Sequence, residues 1–160
     1  MIGAMHPNAR LLRDFYAALD AHEGERMAAC YADDVAFSDP VFPLLRGDQA
    51  RAMWRMLCER GRDLRVTARR IEADDATGSA AWDADYTFSA TGRVVHNRIE
   101  ARFVFRDGLI VTHTDDFDLW RWAGMALGLK GRLLGWLPPV QDAVRRQAAA
   151  ALEAWMVRRG

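Results

Sequence analysis

Apolar residues along this chain first recur at spacings of three and four. Leu12, Phe15, Tyr16 and Leu19 form one stripe within residues 8 to 21, the mark of an amphipathic helix. A shorter helical pattern at 24 to 32 runs through Met27, Cys30 and Tyr31 and stops at Asp33-Asp34. VAFSDP reads as a brief strand closed by Pro40, since proline has no N–H to give to a ladder. Gly47-Asp48 opens a third helix, with Ala50, Met53, Trp54 and Leu57 on one face and Gly61 as its stop.

After Gly61 the period falls to two. Leu64, Val66 and Ala68 alternate in one run, and Trp82, Ala84, Tyr86 and Phe88 in the next. Residues 94 to 106 set Ile99, Ala101, Phe103 and Phe105 against Arg98, Glu100, Arg102 and Arg106. Residues 109 to 117 form the last strand, and the turns ADDATGS, SATGR and RDG join the runs as a meander. Asp118, just before LWRW, reads as a helix N-cap. Residues 119 to 137 are rich in Trp, Leu and Gly, with partly helical character. Pro138-Pro139 starts a tail helix through residue 157, with Val140, Val144, Ala148, Leu152 and Trp155 on its apolar face. The pattern predicts an α+β domain spanning 1–160: a curved antiparallel sheet over N-terminal helices, with 119–160 a helical extension.

The last strand, LIVTHTDDF, holds residues that half-buried strands usually exclude. Period two puts Val111, His113, Asp115 and Phe117 on one face and Ile110, Thr112, Thr114 and Asp116 on the other. A two-residue Asp-Gly turn would place Ile110 and Thr112 beside Phe105 and Phe103, leaving Asp115 outside. A three-residue loop with Gly108 in a G1 bulge pairs Phe103 with Val111 and Ala101 with His113. The second is preferred because it gathers the apolar residues on one surface, and it turns His113 and Asp115 inward.

Composition narrows the function classes. About half the residues are hydrophobic, and the formal net charge is zero, so no long-range field draws in nucleic acid or a membrane. Lys130 is the only lysine among scattered arginines. Cys30 and Cys58 share no metal or redox spacing; as buried reduced thiols, with no signal-like N-terminus, they predict a cytoplasmic protein. His96 is expected to face outward, with His6 and His22 remote, so no metal site is predicted.

FYAALDA, YADDVAFSDPVF, the glycine-led helix and GLIVTHTDDFD, taken in order, resemble the nuclear transport factor 2-like superfamily. The resemblance covers residues 8 to about 120 and is nearest the SnoaL-like polyketide cyclase and ketosteroid isomerase branches. It implies a cone-shaped sheet enclosing an apolar pocket, no cofactor, a small apolar ligand and a homodimer formed through the outer sheet face. The isomerase's general base falls at Asp39, while its two oxyanion donors fall at Phe15 and Ala101, neither of which can donate. Tyr16 stands next to the first of these positions. The catalytic aspartate of limonene epoxide hydrolase and SnoaL-type cyclases falls at Asp115, but the hydrolase's partner Arg and Asp are missing near Trp82 and Ala84. The candidate catalytic residues are therefore Asp115, Asp39 from the opposite wall, and His113. Phe15, Tyr16, Trp54, Trp82 and Ala101 are expected to line the pocket. Tyr86, Phe88, Phe103, Phe105 and Phe117 extend that wall. The function expected is acid–base chemistry of the isomerase, cyclase or dehydratase kind on a small apolar carbonyl compound, or else binding without catalysis.

Overall fold

The computed structural model describes residues 4–159. Helix α1 (Pro7–Asp20) starts with proline in its first turn, and the His6 ring caps it by accepting from the Asn8 amide. Helix α2 (Gly24–Ala28) is shorter than the pattern suggested, and Tyr31 belongs instead to strand β1 (Tyr31–Ser38). The two-residue β2 (Leu45–Arg46) follows, and α3 (Asp48–Arg60) opens at Gly47, whose φ of 53° suits glycine.

Strands β3 (Arg65–Ala73), β4 (Thr77–Phe88), β5 (Arg93–Arg106) and β6 (Leu109–Asp116) are the expected meander. They make a six-stranded sheet in the order β2-β1-β6-β5-β4-β3, with β1 parallel to β6. Along β5, buried and exposed residues alternate from Val95 to Arg106, so one face is core and the other solvent. The buried face holds Trp82, Ile99, Ala101, Phe103 and Phe105, packed against Phe15 and Leu19 of α1 and Met53 and Trp54 of α3.

The β5–β6 hairpin departs from expectation. Its turn is the two-residue one, with Asp107 and Gly108 both left-handed (φ 53° and 77°), so Phe105 lies opposite Ile110. Ile110, expected outside, is fully buried. The register then slips by one residue at Val111, a β-bulge, and Val104 pairs with Thr112. Phe103 therefore faces His113 rather than Val111, and Ala101 faces Asp115 rather than His113. The bulge flips the parity of everything after it, so His113 and Asp115 point inward despite the two-residue turn.

The remaining chain is helical. Asp118 caps α4 (Leu119–Leu127) by accepting from the Arg121 amide at 3.0 Å. Helix α5 (Leu129–Leu134) and the long α6 (Pro138–Arg159) follow. Leu152 and Trp155 of α6 join the main core beside α3. The Trp155 indole donates to Glu59, and the Arg145 guanidinium donates to the Pro40 carbonyl at 2.9 Å. The tail helix thus ties α3 to the segment just after β1.

Candidate functional site

The bulge at Val111 delivers two polar side chains into an aromatic interior. His113 has no exposed surface and Asp115 keeps 4%. The His113 ring stacks on Trp54 with an interplanar angle of 7° and lies 4.4 Å from the Phe103 ring, centroid to centroid. Phe15 and Phe37 meet it edge-on at 5.6 and 5.0 Å. An imidazole so enclosed must find both its partners within the protein.

It finds them in a chain of three hydrogen bonds. The Trp54 indole donates to the Tyr31 hydroxyl at 2.7 Å. Tyr31 Oη lies 2.7 Å from His113 Nδ1, and His113 Nε2 lies 2.8 Å from Asp115 Oδ1. An indole N–H can only donate, so the Tyr31 oxygen accepts there; at the other end a carboxylate can only accept, so His113 Nε2 gives its proton to Asp115. The neutral imidazole, with its proton on Nε2, has Nδ1 bare, and that nitrogen accepts from the Tyr31 hydroxyl. The direction Trp54→Tyr31→His113→Asp115 follows from the donor-only indole at one end and the acceptor-only carboxylate at the other. Burial holds the Tyr31 hydroxyl well above the usual phenol range, so it stays protonated and able to donate.

Tyr31 was missed in the sequence because the helical spacing of Met27, Cys30 and Tyr31 hid its place on a strand. Its ring lies 5.5 Å from Phe15, the position where the isomerase resemblance expects a tyrosine. A phenol thus reaches this part of the interior from β1 instead of α1.

Asp39 follows directly on the Ser38–Thr114 pair of the parallel β1–β6 ladder. It therefore lies beside the strand carrying Asp115, and not on the opposite wall. Its Oδ1 accepts from the amides of Val41 and Phe42 at 2.7 and 2.6 Å, capping the turn through Pro40. Burial raises its carboxyl to about 6, against the pull of the Phe42 amide; the Asp115 charge pushes the same way as burial.

Two buried donors have no hydrogen-bond partner among the described residues: Tyr16 Oη and Trp82 Nε1. Their rings are 5.6 Å apart, and Tyr16 also meets Phe103 edge-on at 6.5 Å. Burial, and after it the Asp115 charge, keeps the Tyr16 phenol protonated. Ala80, Ala101 and Asp115 lie in one row across β4, β5 and β6, next to the row that pairs Trp82 with Ile99.

The other expected wall residues divide into two groups. Phe105 stacks on Phe103 in the main core. Phe88 instead packs edge-on against Trp122 of α4, whose indole donates to the Tyr86 hydroxyl at 2.7 Å. Phe117 touches both the main core and this second cluster. A surface groove of about 650 Å³ lies on the outer sheet face among Ser79, Arg102, Val104, Thr112 and Thr114, away from the His113–Asp115 pair. No group of three or more His, Cys, Asp or Glu side chains arranged to hold a metal occurs among the described residues. His96 lies on the outer face beside Asp85, and His22 bonds the Leu64 carbonyl at 2.8 Å.

A family model described as a SnoaL-like domain matches residues 12–113. No curated protein matches the chain significantly. Among solved structures, a provisionally named polyketide cyclase from Xanthomonas campestris is 24% identical, covering 74% of this chain and 96% of its own, with a TM-score of 0.61. An LEH-like epoxide hydrolase from M. tuberculosis is 21% identical over 81% and 96% of the two chains, TM-score 0.61. A provisionally named ketosteroid isomerase from Kribbella flavida is 21% identical over 70% and 78%, TM-score 0.56. At these identities the likeness is one of fold.

Proposed function

Because the chain belongs to the SnoaL-like domain family, we infer that it takes a small, planar, apolar carbonyl compound into the cone and moves a proton on it. The reaction is an isomerisation, cyclisation or dehydration. The observation that carries this reading is the buried His113–Asp115 pair, anchored through Tyr31 and Trp54. Nothing in the packing of an apolar core needs a carboxylate there, and a buried charge is retained at a cost.

In this reading Asp115 is the proton carrier. Its carboxylate takes a proton from carbon next to the carbonyl, and the electron pair moves to the carbonyl oxygen. Tyr16 Oη and Trp82 Nε1, the two donors without partners, face that oxygen and stabilise it as charge develops. They stand in for the donors lost at Phe15 and Ala101. The protonated Asp115, or Asp39 with its raised carboxyl, returns a proton at a second atom. His113 positions Asp115 and does not touch the substrate. No cofactor takes part.

A second reading, binding without chemistry, is favoured by the near-complete burial of the site: a ligand enters only if aromatic side chains and α6 give way. Both readings include a cytoplasmic home, a single domain with 119–160 as its extension, and a homodimer through the outer sheet face.

The test is hydrogen–deuterium exchange at the carbon beside the carbonyl, followed by NMR across a panel of planar aromatic and alicyclic ketones. Asp115→Asn keeps the hydrogen bond from His113 and the fold, yet cannot exchange a proton at neutral pH. Exchange should fall about a hundredfold or more. A folded variant that binds and exchanges as the parent does would leave the binding reading.

A further inference from the structure

Helix α5 is built inside out. In an amphipathic helix leucines face the protein and small or polar residues face water. Here Gly131 is the buried residue, while Leu129 is 70% exposed, Leu133 60%, and Leu134 also lies on the surface. The cause is a close approach to α4: a Cβ at Gly131 would stand 2.0 Å from the Ala123 carbonyl oxygen, and one at Gly135 would be 2.7 Å from the Ala123 Cβ. Only glycine fits this contact, so the leucines cannot rotate inward.

Two tryptophans extend the surface. Trp136 is 55% exposed, with its indole N–H on the Leu133 carbonyl. Trp120, also exposed, donates to the Arg132 carbonyl at 3.0 Å. Both rings are held by their N–H groups and still face outward. The charges are one-sided: between residues 119 and 141 the chain has Arg121, Lys130 and Arg132 and no Asp or Glu.

We propose that α5, with Trp120 and Trp136, is a docking surface for an anionic lipid bilayer. Leucine and tryptophan suit the interfacial layer of a membrane, and the cations suit its headgroups. Pairing of this patch with its own copy would set Lys130 and Arg132 against the same residues with no acid between them, which disfavours a second chain. Contact is peripheral, since no described helix is long and apolar enough to cross. The neutral net charge predicted no membrane contact, but the distribution of charge along 119–141 differs from the average.

The test is sedimentation of the full chain with phosphatidylglycerol vesicles and, separately, with phosphatidylcholine vesicles. The chain should pellet with the first and stay in solution with the second. Lys130→Gln with Arg132→Gln should weaken binding by about tenfold or more, since each cation near an anionic surface counts for roughly fivefold. Leu129→Gln, Leu133→Gln and Trp136→Gln together should abolish binding while leaving the melting temperature unchanged. The proposal is overturned if the parent chain fails to pellet with phosphatidylglycerol, or if the triple variant still does. It is equally overturned if the parent does not bind vesicles but doubles its mass in solution and the triple variant reverses that, which would make the patch a self-association surface.

Discussion

The cone interior and helix α5 each break the ordinary rule of burial, in opposite directions. Around His113 polar groups lie among aromatic rings; on α5 leucines lie in water. The line through His113 completes itself, because Trp54, Tyr31, His113 and Asp115 satisfy one another. The α5 surface has no such completion within the described residues. Internal satisfaction fixes Asp115 in place, as the proposed proton transfer requires, whereas the apolar face that glycine holds outward is the one the proposed membrane contact uses.

That contrast predicts a wide spread in stability effects. His113→Phe fits the aromatic surroundings but leaves Asp115 buried without its donor. It should cost about 3–5 kcal/mol in denaturant unfolding, the range for stranding one partner of a buried pair. A loss below about 1 kcal/mol would mean that Asp115 finds solvent or another partner.

A smaller effect concerns pH. Asp39 is held at about 6 in the folded chain, against an ordinary value of 3.8. The folded state thus keeps a proton that the unfolded chain releases earlier. Its contribution is present below about pH 4 and is lost as pH rises to about 6, amounting to about 3 kcal/mol. Asp39→Asn should flatten that decline in a plot of stability against pH; an unchanged slope would assign the decline to other groups. At the far end of the scale, Leu133→Gln alone should shift stability by no more than about 0.5 kcal/mol, as surface substitutions do. A larger loss would place Leu133 in the fold's own packing.

Much of this was legible in the sequence. The period-two runs placed Trp82, Phe103 and Phe105 inside, and Asp118 before LWRW announced its cap. The hairpin was not, because Asp107-Gly108 fits both a two-residue turn and part of a three-residue loop. The bulge that decides the parity of β6 falls at Val111, and valine carries no bulge signal. Two departures from the expected hairpin cancel, so Asp115 points inward for a reason other than the one deduced. Tyr31 was hidden because its helical spacing from Met27 outweighed its strand neighbours. The inversion of α5 could not be read from composition either: glycine at 131 looks like a break until the Ala123 carbonyl is seen against it.

The most direct test of the central claim is the protonation of one ring. The Asp115 carboxylate can only accept, so nitrogen-15 NMR of the histidine-labelled chain at neutral pH should show His113 with its proton on Nε2 and Nδ1 bare. Asp115→Leu should release that preference while leaving the signals of His6, His22 and His96 in place. A proton on Nδ1, or on both nitrogens, in the parent chain would contradict the Trp54→Tyr31→His113→Asp115 line and with it the positioning of Asp115.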